Sequence, residues 1–199
     1  MLTVHVAEAS PELAVLVDGA RLAAVGPYEE VAAADPRARV RRWPGVLTPG
    51  LLNPYGPELL EHAYHPDPRE AERLGTEPVL GERARSLLRA DATALGASAR
   101  RGVGRMLAHG TVAIAGEPRA RPVQDAVRRA GLALAPRPHA PEGPASLWPS
   151  PLVLLPGPVV GGPARFAVFA VTDLAALARS GPSTCVATVI GGRLVHRRA

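Results

Sequence analysis

The chain has no lysine, a single cysteine (Cys185) and a single asparagine (Asn53), and only 4% of its 199 residues are aromatic. Each shortage excludes something. One cysteine rules out an internal disulfide and any cysteine-based zinc cluster. So few aromatic rings leave little material for stacking the bases of a nucleic acid. No apolar run approaches the ~20 residues that a membrane-spanning helix needs. The first residues, Met1-Leu2-Thr3-Val4-His5, lack the basic and then apolar pattern of an export signal, so a cytoplasmic location is expected.

With lysine absent, all 23 basic residues are arginine, and the formal charge is +5. A basic chain invites a nucleic-acid reading. Abundant Arg, Ala, Gly and Pro beside no Lys and one Asn point instead to the coding bias of a GC-rich genome. The pairs Arg41-Arg42, Arg100-Arg101, Arg128-Arg129 and Arg197-Arg198 are scattered along the chain. Nucleic-acid binding is therefore disfavoured. A hydrophobic fraction of 47% suits a globular protein with one substantial core, or two small lobes.

Both ends of the chain read as β. Residues 2–7, 13–17 and 21–25 are apolar runs, and Asp18-Gly19 between the last two predicts a hairpin with a type I′ turn. Residues 28–34 suit a short helix, and 39–43 alternate like an edge strand. Near the other end, 165–171 and 184–190 are strand candidates, with an Asp-started helix over 173–179 between them. Gly191-Gly192 then turns the chain into a partner strand, 193–197. The middle reads differently. Helical spacing covers 81–89, 91–107 and 123–130, with left-handed stops at Gly110 and Gly131. Strands are expected at 111–115 and 132–135, and this β/α alternation favours a parallel arrangement. Residues 136–151 hold six prolines and read as an extended linker.

Four segments, in order, resemble the amidohydrolase superfamily, close to imidazolonepropionase-like and aminodeoxyfutalosine deaminase-like proteins. Trp43-Pro44-Gly45-Val46-Leu47-Thr48-Pro49-Gly50-Leu51-Leu52-Asn53-Pro54-Tyr55-Gly56-Pro57 is similar to the segment leading into the family's His-x-His metal motif. Residues 102–113, with Leu107-Ala108-His109-Gly110-Thr111-Val112, resemble its approach to the second barrel strand. Residues 161–169 and 186–195 resemble its closing strands. The resemblance implies a β-sandwich built from both termini beside a TIM barrel, with metal-activated water as the nucleophile. It also places Tyr55 and Pro57 at the two metal-binding His positions and Asn53 at the preceding acid. A bridging carboxylated lysine cannot exist in a chain without lysine. The superfamily metal site is thus expected to be missing.

The densest ionisable stretch follows directly, from Glu58 to Asp67. On a helix Glu58, His62 and His65 would share one face, an alternative zinc site with an open position. Asn53, Tyr55, His62 and His65 are the candidate ligand-binding residues. His109 reads as a helix-end cap, and Cys185 as a buried thiol.

The fold expected is α/β in the mixed α+β sense: a composite β-sandwich (1–48 with 152–199), a truncated TIM-barrel-like β/α remnant (49–140) and a proline-rich linker (141–151). The function expected is a degenerate amidohydrolase-like module that binds a small molecule or a partner, without cofactor. The alternative is a hydrolase of non-peptide carbon–nitrogen bonds with a rebuilt or shared site. The edge near 132–135 would pair with a second copy or another protein, unless residues 152–156 fold back onto it. If the termini share one sandwich, deleting residues 184–199 abolishes the thermal unfolding transition. A truncated chain that keeps its full transition contradicts the shared sandwich.

Overall fold

The computed structural model describes residues 2–91, 93–137, 139 and 141–198. The chain is a mixed α/β protein, and the strands among the described residues form three sheets. Its first strands are β1 (Thr3–Ala7), β2 (Ala14–Asp18), β3 (Arg21–Gly26), β4 (Arg39–Trp43), β5 (Val46–Thr48) and β6 (Leu51–Asn53). Strands β7 (Thr111–Ala115), β8 (Ala133–Ala135) and β9 (Val153–Leu154) follow, then β10 (Arg165–Phe169), β11 (Cys185–Ile190) and β12 (Arg193–Arg197). The helices are α1 (Tyr28–Ala34), α2 (Gly56–Leu60), α3 (Ala71–Leu74), α4 (Gly81–Arg89), α5 (Ala94–Ala108), α6 (Arg121–Ala130) and α7 (Leu174–Ser180).

Two compact units emerge. The first takes residues 1–52, 107–112 and 150–199; the second takes 53–106 and 113–149.

In the first unit the sheets run β3-β2-β1-β4 and β12-β11-β10-β5. Alternation along each strand sends side chains to two faces. Val15, Val17, Leu22 and Trp43 of one sheet meet Leu47, Phe166, Val168 and Val189 of the other in a single buried cluster. The outward faces are covered as well. Leu16, Val4 and Val6 pack with Val31 of α1, while Ala167, Phe169 and Cys185 pack with Leu177 of α7. Coverage on both sides explains the continuous apolar runs of β2 and β10, where a one-sided sheet would alternate with polar residues. His5 lies within this core. Its Nδ1 accepts from the Trp43 indole N–H at 3.2 Å, and its ring meets Phe166 edge-on, 4.9 Å between centroids. Burial pushes the His5 imidazole down to about 4, so it is neutral near pH 7.

The hairpin turns differ from one another in an informative way. Asp18 pairs with Arg21, so the turn residues are Gly19 and Ala20 rather than Asp18 and Gly19. Among the described residues no non-glycine has positive φ, and Gly19 stands at +55°. One positive φ, at the first turn residue, is the pattern of a II′ turn and not the I′ turn that the dipeptide predicts. A register irregularity between Leu16 and Val17 shifts the frame. Gly191 and Gly192, at +57° and +70°, do supply two positive φ values between Ile190 and Arg193.

In the second unit β7 and β8 pair in parallel, joined by α6, whose C-terminus is closed by Gly131 in the left-handed conformation. Leu134 is half exposed on β8. Residues 153–154 do not seal that strand; in the first unit they pair with Leu51 and Leu52 of β6. The proline-rich stretch is more than a linker, because residues up to 149 belong to the second unit and two of its carbonyls receive buried side chains, as described below.

Phe166 is fully buried at the centre of the sandwich. Phe166→Ala is expected to cost about 3–5 kcal/mol in urea unfolding, the range for emptying a buried aromatic site. A loss below about 1 kcal/mol would show that the two sheets do not depend on this contact.

Candidate functional site

A cleft of about 790 Å³ opens in the second unit, lined by the segments that follow β6, β7 and β8. Pro57, Glu58, Glu61 and His62 come from the first, Gly116, Glu117 and Arg119 from the second, and Arg137 from the third. Ligand sites in α/β folds form at the carboxyl ends of strands, because the loops there are free to vary while the strands fix their bases.

Arg137 Nη1 donates to both carboxylate oxygens of Glu58, at 2.8 and 2.7 Å, and the pair is only partly exposed. Gly116 makes room for it: a Cβ there would sit 3.0 Å from Arg137 Nε, and its φ of +82° already disfavours a side chain. Glu61 Oε1 accepts from the backbone N–H groups of Arg119 (2.6 Å) and Ala120 (2.5 Å), which fixes the loop leading into α6. His62 is exposed at the same cleft. The result is an acceptor–donor pair, a second anchored carboxylate and an imidazole facing one space, with Pro57, Leu95 and Ala120 as apolar wall.

The residues expected from sequence separate. Asn53 is buried: its Nδ2 donates to Ser146 O at 3.0 Å, and its Oδ1 accepts from Tyr55 N at 2.8 Å. The Tyr55 hydroxyl donates to Glu142 O at 2.5 Å. Both side chains therefore hold the 142–146 segment in place. His62 reaches the cleft and His65 does not. The helical face that would unite Glu58, His62 and His65 is absent, since α2 ends at Leu60. Beyond it Tyr64 turns extended and exchanges both backbone hydrogen bonds with Val79, at 2.9 and 2.8 Å. His65 is fully buried, its ring Nε2 2.8 Å from Leu59 O and its backbone N–H on Ser98 Oγ. Gly102 packs directly on this ring.

Tyr55 is committed to a carbonyl, Pro57 has no donor, and Glu58 is engaged by Arg137. Among the described residues no three His, Cys, Asp or Glu side chains converge as a ligand set. Cys185, in the first unit, is fully buried, and burial pushes its thiol up, away from the reactive thiolate.

Sequence reading missed Glu61, Glu117, Arg119 and Arg137. A signal existed for the last: a charged residue just beyond the end of a β/α strand is where such folds place their chemistry.

No family model matches the chain, and no curated protein does. Solved structures similar to it include an ochratoxinase from A. niger, with 18% identity and a TM-score of 0.41 over 68% of this chain and 30% of that one. Another is an N-isopropylammelide isopropylaminohydrolase from Burkholderia multivorans ATCC 17616, at 17% and 0.45 over 68% and 37%. A third is a guanine deaminase from Bradyrhizobium japonicum, at 20% and 0.36 over 62% and 27%. The chain spans about a third of the length of these three.

Burial pushes the His65 imidazole from 6.5 down to about 4, with the nearby arginines Arg105 and Arg101 adding to the shift. The neutral ring is the folded form, so the unfolded chain takes up its proton first as pH falls. This contribution to stability is complete above pH 6.5, falls as pH drops toward 4 and then levels off. It amounts to about 3 kcal/mol. Unfolding free energy measured from pH 7 to 4 should decline across this window, and less steeply in His65→Leu. Identical pH profiles for the two proteins would show that His65 is not held neutral by folding.

Proposed function

We propose that the chain is a small-molecule-binding module of amidohydrolase type, in which the cleft after β6, β7 and β8 receives the ligand and metal-dependent hydrolysis has been given up. The observation that carries this reading is the fate of the superfamily's metal-binding positions. Tyr55 and Pro57 stand there, and the Tyr55 hydroxyl is spent on the Glu142 carbonyl. The polar groups that remain face the neighbouring cleft. Glu58, Glu61 and His62 offer acceptors, Arg137 offers donors, and Pro57 and Leu95 supply an apolar wall. A small planar ring bearing both N–H and C=O groups, such as an imidazolone or an oxidised purine, matches that mixture.

A second reading rests on His62. An imidazole in a cleft beside several carboxylates is suited to proton transfer, so a hydrolase of non-peptide carbon–nitrogen bonds with a rebuilt site is the alternative.

Elemental analysis of the purified chain and calorimetric titration with an imidazolone and with xanthine test the two readings together. The binding-module reading expects substoichiometric zinc and iron, no turnover, and saturable binding that weakens about tenfold in Arg137→Ala. Turnover of either compound that disappears in His62→Ala would establish the hydrolase. Stoichiometric metal would overturn the assignment of Tyr55 and Pro57.

A further inference from the structure

A separate cleft of about 360 Å³ lies wholly in the sandwich unit. Arg39, Arg41 and Arg42 line it from β4, an edge strand of one sheet. Arg197 and Arg198 line it from the end of β12 and the residue beyond, at an edge of the other. Two arginine pairs far apart in the chain, 41–42 and 197–198, thus meet in space. Among the described residues no carboxylate lines the cleft.

Two of the five guanidiniums are positioned by neutral partners. Arg42 lies 4.7 Å over the Tyr28 ring and donates to its hydroxyl at 2.9 Å, and Arg198 donates to Ser183 O. Arg39, Arg41 and Arg197 make no side-chain hydrogen bond or ion pair among the described residues. Grouping five positive charges with no carboxylate among the described lining residues is unfavourable, because each repels the others. Charged side chains do guard sheet edges against pairing. That role explains arginines pointing outward along an edge, and it does not require both edges to converge on one concavity. Trp43 forms part of the wall but is 7% exposed, with its indole N–H given to His5, so no ring is presented for stacking a base.

We infer that this cleft binds a small anion carrying two or three linked phosphate groups. The planar guanidinium fork matches phosphate oxygens bidentately, and linked phosphates concentrate negative charge over the span that several arginines can reach. With no exposed aromatic ring among the described residues that line it, the phosphate chain is what the site reads.

The test is calorimetric titration of the full chain with inorganic triphosphate, beside orthophosphate and a short single-stranded oligonucleotide. Triphosphate should bind saturably with one-to-one stoichiometry, at least about tenfold tighter than orthophosphate, and should weaken about tenfold for each guanidinium removed in Arg41→Gln and Arg197→Gln. Arg128→Ala with Arg129→Ala, on the exposed face of α6, should leave binding unchanged. Thermal transitions of all variants establish that they are folded. Three results would overturn the proposal: no saturable binding of triphosphate by the unaltered chain, an equal loss in the α6 control, or tighter binding of the oligonucleotide than of triphosphate.

Discussion

Strand β10 is hydrogen-bonded on one side to β11 and on the other to β5, and the second of these pairings closes a very long stretch of chain. The Thr48 hydroxyl donates to Ala167 O across a sequence separation of 119 residues, and Leu47 lies beside Val168 in the register. Everything between these residues is either the second unit or a segment that returns to the first. Closing so long a loop costs chain entropy, and the cost is offset where β10 lands. Phe166 and Val168 enter the core between the sheets, while Ala167 and Phe169 enter the cluster on the other face. A strand buried on both faces contributes twice per residue pair, which makes it the element best able to hold two distant chain segments together.

The same arrangement decides which features were legible beforehand. Signals confined to a few neighbouring residues came through. Tyr28–Ala34 is a helix, Asp173 caps α7 by accepting from Ala176 N–H, and Gly191-Gly192 turns β11 into β12. Features set by distant partners did not. Strands β5 and β6 are three residues each, too short for a period, and they exist because β10 and β9 pair with them. The helical reading of Glu58–His65 failed at Leu60 because Val79, far along the chain, draws Tyr64 into an extended bridge. Arg137 was concealed for a related reason. Nothing local ties it to Glu58, and only the parallel pairing of β7 with β8 fixes the start of its loop.

The arginines carry this lesson furthest. Along the sequence they look like dispersed products of codon usage, and many are, since the exposed pairs on α4 and α6 do no more than bridge carboxylates within their own helices. Exposed pairs of that kind are worth at most about 1 kcal/mol. Location changes the account for Arg41 and Arg197. Composition bias can supply arginine at any solvent-facing position, but it does not select which positions the fold brings together, nor does it keep Asp and Glu out of the described wall around them.

The two clefts also differ in how their charges are balanced. In the second unit the lining carboxylates Glu58, Glu61 and Glu117 nearly balance Arg119 and Arg137, and Glu58 is paired with Arg137, so a ligand there exchanges existing hydrogen bonds for its own and gains little from net charge. Selectivity then has to come from shape and from the matching of donors to acceptors, which favours a neutral, planar, polar molecule. In the sandwich the charge is uncompensated, and an anion gains from every guanidinium it reaches. Salt therefore separates the two proposed sites. Raising ionic strength screens an exposed five-arginine cleft strongly, and it leaves binding by internally neutral pairs nearly unchanged.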